Sequence, residues 1–194
     1  MNASDPRLFF AAEVGDKAAG EARVLAADLA DRDRDDAVRW IPHENYHITL
    51  RFLGETAVTE IPQLVAEVSR ESASQETFSA TLGSLLLLPS PRRVRLITLV
   101  VESEGKLERL AACVERGVQR AGVAPEERRF RPHLTLGRTR RGRRYREVAL
   151  APQRALATPF VVDAALLVES ELSRSGARYR AVERIALGAT THPH

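Results

Sequence analysis

The chain carries one cysteine, Cys113, so no intrachain disulfide can form and its 194 residues must be held by a packed core. A single cysteine also excludes the paired-cysteine spacings of structural zinc sites. No apolar run approaches the ~20 residues that span a bilayer; Leu85-Leu86-Leu87-Leu88 reads as a short buried strand stopped by Pro89. Aromatic residues make up 5% of the chain, too few for a long platform on which single-stranded bases stack. There is no glycine-rich loop with a following lysine to cradle a triphosphate, which removes ATP-driven chemistry. The opening residues lack the basic-then-apolar pattern of a secretory leader, so the cytoplasm is the expected location. A net charge of +3 is too small to mark a global nucleic-acid footprint.

Five histidines are present, and two of them open the same four-residue pattern: His47-Ile48-Thr49-Leu50 and His133-Leu134-Thr135-Leu136. Around the first, Tyr46, Ile48 and Leu50 alternate with His47, Thr49 and Arg51; around the second, Leu134 and Leu136 alternate with His133 and Thr135. Each copy therefore predicts a half-buried strand with an imidazole and a hydroxyl on one face. Gly54 and Gly137 are expected to close the two strands with tight turns.

Two imidazoles on opposite sides of one substrate can act as base and acid in a single turnover, because an unperturbed histidine titrates near neutrality. Hydroxyls beside them can donate to phosphate oxygens. The pair points to phosphoryl transfer at a diester with no metal. The ordinary reading of one histidine beside a threonine on a strand is a surface residue, but repetition counts against it. A metal site is disfavoured too: His43 lies four residues before His47, yet Pro42 argues against the helix that would bring them together.

The runs Asn45-Tyr46-His47-Ile48-Thr49-Leu50-Arg51-Phe52-Leu53-Gly54-Glu55 and Phe130-Arg131-Pro132-His133-Leu134-Thr135-Leu136-Gly137-Arg138 resemble the RNA 2',3'-cyclic phosphodiesterase branch of the 2H phosphoesterases, also described as 2'-5' RNA ligases. Arg7 to Ala11 and Ser170 through Tyr179 look like the same family. The resemblance implies an α+β fold of two pseudo-symmetric lobes, each with an antiparallel sheet and helices, and an active-site cleft between them. It implies one compact domain over residues 1–194 in which the lobes are intertwined. It further implies hydrolysis of an RNA 2',3'-cyclic phosphate end to a 2'-phosphomonoester, with no cofactor. In that scheme His133 is the base, His47 the acid, and Thr49 and Thr135 contact phosphate oxygens. Reversal of the roles would support 2'-5' joining. The expected partner is an RNA end, with no membrane and no obligatory protein partner.

Arginines gather about the second motif: Arg128, Arg129 and Arg131 before it, and Arg138, Arg140, Arg141, Arg143, Arg144 and Arg146 after it. Arg131 shares parity with His133, and Arg51 with His47, so both are candidates for phosphate along with Arg138. Phe9, Phe52, Phe130 and Tyr179 are candidates to hold a terminal base, with Phe52 and Tyr179 preferred. Two rival functions stay open on the residues alone: a phosphodiesterase for a small cyclic nucleotide or another phosphodiester, and a module that binds RNA ends without chemistry.

Periodicity predicts strands Leu8 to Ala12, His47 to Leu53, Phe78 to Leu87, Val94 to Val101, Phe160 to Val168 and Arg178 to Leu187, besides the one at His133. Helices are expected near Lys17 to Leu29, Glu60 to Arg70, Lys106 to Ala121 and Tyr145 to Leu156, with a charged connection over Asp31 to Asp36.

Overall fold

The computed structural model describes residues 5–143, 156–173 and 176–188. The opening strand β1 (Arg7–Glu13) is apolar on both parities and buried on both faces, as a central strand must be. Helix α1 (Asp16–Arg32) comes next, with Ala18, Ala22, Leu25, Ala26 and Leu29 on one buried stripe. Then come β2 (Val38–Trp40), β3 (His47–Glu55), α2 (Ile61–Ser72), β4 (Phe78–Leu88), β5 (Leu96–Glu102), α3 (Lys106–Arg120), β6 (His133–Thr139), β7 (Pro159–Val162), β8 (Ala164–Ser173) and β9 (Gly176–Ala186).

The strands form two antiparallel sheets, ordered β3-β1-β8-β9 and β2-β6-β5-β4-β7. In each, a histidine-bearing strand pairs with the strand that precedes a long helix: β3 with β1, and β6 with β5. The two sheets therefore repeat one plan, and β2 is an additional strand beside β6. The helices are exchanged: α1 leaves the first sheet and packs on β2, β6 and β7 of the second, whereas α3 leaves the second and packs on β3 of the first. One apolar cluster runs through both, from Phe10 and Ile48 to Leu134 and Leu136.

Helix α3 carries Leu107, Leu110, Ala111, Val114 and Val118 at helical spacing, all buried. Gly117 interrupts that stripe because α2 crosses there: a Cβ on Gly117 would lie 2.6 Å from the Val68 Cα. Gly137 is a second close approach. It sits inside β6 instead of at a turn, contrary to the sequence expectation, and a Cβ there would lie 2.6 Å from Val38 Cγ1. Gly54, with φ of +81°, lies near the end of β3.

Two boundaries differ from expectation. The run Phe160 to Val168 is two strands, β7 in one sheet and β8 in the other, with the chain crossing at Asp163. Unbroken apolar character marks burial but does not name the sheet that supplies it. Strand β2 arises inside a segment too short to show a period; Asp33 sets it up by accepting hydrogen bonds from the Ala37 and Val38 amides. The helix expected near Tyr145 to Leu156 lies, but for Leu156, outside the described residues.

Candidate active site

Both histidine strands carry a β-bulge at the same place in the motif. On β3, Ala11 faces Thr49 and Phe10 faces Arg51, so Leu50 is the extra residue. On β6, Thr98 faces Thr135 and Ile97 faces Gly137, so Leu136 is extra. A bulge flips the parity of the residues beyond it. Residues three and four after each histidine therefore belong to the buried side, and the residue at histidine plus five returns to the face of the histidine and threonine. Those residues are Phe52 and Arg138. One repeat delivers an aromatic ring to the cleft, the other a guanidinium.

The same bulge corrects the reading of Arg51. Strict alternation puts it beside His47 and Thr49, but its side chain turns to α3. Its Nε donates to Glu115 at 2.6 Å, and it also donates to the Ala124 and Phe52 carbonyls. Burial raises the Glu115 carboxyl, but hydrogen bonds from Gln119, the Glu126 amide and Arg51 outweigh it and hold the group below its ordinary value. Arg51 is a structural cation here, only 10% exposed.

The two imidazoles are held alike. His47 Nδ1 is 2.8 Å from the Asn45 carbonyl and His133 Nδ1 is 2.7 Å from the Arg131 carbonyl. A carbonyl only accepts, so each Nδ1 carries the proton and each Nε2 is left as the nitrogen that can exchange one. In both repeats the anchor is the residue two before the histidine. Asn45 is itself tied to β9, its Nδ2 donating to the Ala177 carbonyl at 2.8 Å. Thr49 Oγ1 donates to His47 Nε2 at 3.0 Å. The carbonyl anchors left no signal in the side-chain pattern, because backbone atoms do the work.

His47 is pushed down to about 4, first by burial, with the charge of Arg138 and the nearness of His133 adding and the Asn45 carbonyl opposing. That coupling also places Arg138 and His133 within electrostatic reach of His47 across the cleft, and β3 and β6 are in contact. The imidazole of His47 is neutral at neutral pH in the free protein.

Aromatic rings surround His47. Phe9 lies 4.9 Å from it and Tyr179, on β9, meets it edge-on at 5.1 Å. Phe52 stacks obliquely on Phe9 at 5.8 Å and is 51% exposed, an open ring at the cleft. A cavity of about 140 Å³ adjoins this cluster, lined by Phe9, His47, Leu166, Val168 and Tyr179 among others. Phe130 instead packs against the main core. A larger cavity of about 780 Å³ at the start of α1 contains neither motif histidine; Glu13, Asp16, Glu44 and Asp163 outnumber Arg23 and His43 there, which disfavours phosphate.

Among the other arginines, Arg131 precedes β6 and is exposed, and it is its carbonyl that touches His133. Arg128 is paired with Glu126 and Arg140 with Asp36. Arg144 and Arg146 lie outside the described residues. Among the described residues, no three His, Cys, Asp or Glu side chains gather as metal ligands would, and no helix is long and apolar enough to cross a membrane.

Comparison with known proteins fits this arrangement. An RNA 2',3'-cyclic phosphodiesterase of Aeropyrum pernix is 36% identical over 109 residues, 55% of this chain and 60% of that protein, so the likeness spans less than two thirds of its length. A crystal structure from Thermus thermophilus superposes with a TM-score of 0.75 at 26% identity, covering 95% of this chain and all of that one. Escherichia coli LigT complexed with 3'-AMP superposes with a TM-score of 0.73 at 26% identity, covering 94% and 98%. The LigT-like phosphoesterase family model matches residues 14–98 and again 99–179, one histidine motif in each span. With two matched repeats, two bulged histidine strands and one shared cleft, this chain belongs to the LigT-like phosphoesterase family.

Proposed function

We infer that the chain hydrolyses RNA 2',3'-cyclic phosphate ends to 2'-phosphomonoesters by paired histidine catalysis. The observation that carries this reading is the matched setting of the two imidazoles, each with Nδ1–H held by a carbonyl and Nε2 as its exchangeable nitrogen. His133 Nε2 takes the proton from water as it attacks phosphorus, and His47 gives one to the departing 3' oxygen. Both proton transfers are thus supplied by side chains. Thr49 and Thr135 donate to the non-bridging oxygens, and Arg138 balances the growing negative charge.

His47 must be protonated to act as the acid, and burial works against that in the free protein. An incoming phosphate supplies the missing counter-charge. It also offers Thr49 a stronger acceptor than the imidazole, which frees Nε2. With a 5'-hydroxyl in place of water, the same groups in the same roles open the cyclic phosphate to a 2'-5' diester: His133 takes the proton of the 5'-hydroxyl, the bond to the 3' oxygen breaks, His47 protonates that oxygen, and no nucleoside triphosphate is consumed. The name of the Aeropyrum relative and the 3'-AMP complex of LigT support a ribonucleotide end as the substrate. The small cavity beside His47 suits part of one nucleotide, with Phe52 and Tyr179 flanking it. We read the whole chain as one catalytic unit that acts in the cytoplasm.

The test is incubation with an oligoribonucleotide ending in a 2',3'-cyclic phosphate, in EDTA, with the product isomer identified. A 2'-phosphate is the expected product. A 3'-phosphate, or turnover that EDTA abolishes, would overturn the mechanism, and an untouched substrate would return the chain to the class of RNA-end binders.

A further inference from the structure

Strand β2 has an exposed arginine at its centre. Arg39 is the direct cross-strand partner of Arg138, with Val38 facing Thr139 and Trp40 facing Gly137 on either side. Directly opposed residues of an antiparallel pair point to the same face, about 5 Å apart. Val38 and Trp40 both close on the space where Gly137 lacks a side chain, so they occupy the buried side, and Arg39 between them projects to the cleft side with Arg138. Like charges set opposite each other cost stability. Some neighbouring arginines find carboxylates, as Arg140 does with Asp36. Among the described residues neither Arg39 nor Arg138 has an ion pair or a side-chain hydrogen bond. Two adjacent exposed guanidiniums with no carboxylate between them make a place that favours an anion.

Scale identifies which anion. Arg138 lies two paired positions beyond Thr135, roughly 7 Å along the strand, and Arg39 one strand farther out by about 5 Å. That is about the reach of one nucleotide from the reacting phosphate. The carboxylate-lined cavity at the start of α1 repels a polyanion, so the arginine side is the favourable route for the body of the chain. We propose that Arg39, one strand beyond the Arg138 that serves the reacting phosphate, forms a second phosphate subsite that grips the phosphate 5' to the terminal nucleotide and makes the enzyme prefer a polynucleotide end to a cyclic mononucleotide. This rests on the RNA-end reading above and names what that site selects.

The experiment compares three substrates, a 2',3'-cyclic mononucleotide with a 5'-hydroxyl, the same mononucleotide with a 5'-phosphate, and a dinucleotide with the cyclic end. It uses the intact protein and its Arg39→Gln and Arg39→Lys variants. The wild type should favour the two substrates that carry the added phosphate by roughly tenfold to a hundredfold in kcat/KM, and Arg39→Gln should erase most of that ratio, mainly through KM, with Arg39→Lys in between. A ratio near one in the wild type, or a ratio that Arg39→Gln leaves standing, overturns the subsite. Binding of the 2'-phosphate products, with and without a 5'-phosphate, is measured alongside. If no cyclic substrate turns over, the RNA-end hydrolase reading fails, and the subsite is judged by whether Arg39→Gln weakens the 5'-phosphorylated product selectively.

Discussion

A histidine held near 4, which the proposed mechanism uses as its acid, is the central constraint at the scale of residues. Followed by NMR, the His47 ring should titrate at about 4 in the free protein and move toward neutrality when a 2'-phosphate product is added. An unchanged midpoint in the complex would argue that His47 is not the acid. His47→Ala and His133→Ala should each lower kcat by about 10²- to 10⁴-fold while circular dichroism stays that of the wild type; normal hydrolysis by either variant sinks the paired mechanism. The histidines and threonines were legible in sequence because they are side-chain types repeated at one spacing. Arg51 was misread and Arg39 passed over for one reason: which way an arginine points depends on register, and register is a property of two strands.

A one-residue bulge decides that register at the scale of elements. Because Leu50 is the extra residue, Arg51 serves α3, and Arg51→Met should lower the melting temperature by an amount equivalent to about 1–3 kcal/mol while kcat/KM changes by only a few fold. A stable variant with lost activity would put Arg51 back in the cleft. The sign of the pH effect is set by Glu115, whose carboxyl is held below its ordinary 4.5. Its contribution is present in full above that value and lost as pH falls through the lower folded value, so Glu115→Gln should destabilise the protein at pH 7 and by progressively less in acid. Gly117→Ala should cost about 1–3 kcal/mol in chemical denaturation, since the obstacle is the backbone of α2. Helix stripes such as that of α3 and the apolar β1 were plain in the sequence, being local periods. The division of Phe160 to Val168 between two sheets was not, because the burial of both halves looks alike.

The molecule as a whole is interlaced, and that makes a further demand. Residues 5–98 contain β2 and β4, whose hydrogen-bonding neighbours β5, β6 and β7 lie wholly or largely in the second half, and of the first sheet only the β1–β3 pair. Two strands alone are marginal in water. The first half made alone should therefore show no cooperative thermal unfolding, and a cooperative transition would mean that the repeats are independent. The sequence by itself determined the candidate catalytic residue types, the doubling of the motif and the α+β class, because side-chain chemistry and hydrophobic period are written locally. The tertiary structure alone decided that α1 and α3 trade sheets, that a bulge falls on the leucine after each motif threonine, and that Phe52 and Arg138 return to the face of the histidines and threonines. Those outcomes depend on which strands meet and in what register, and pairing free energy belongs to both partners at once.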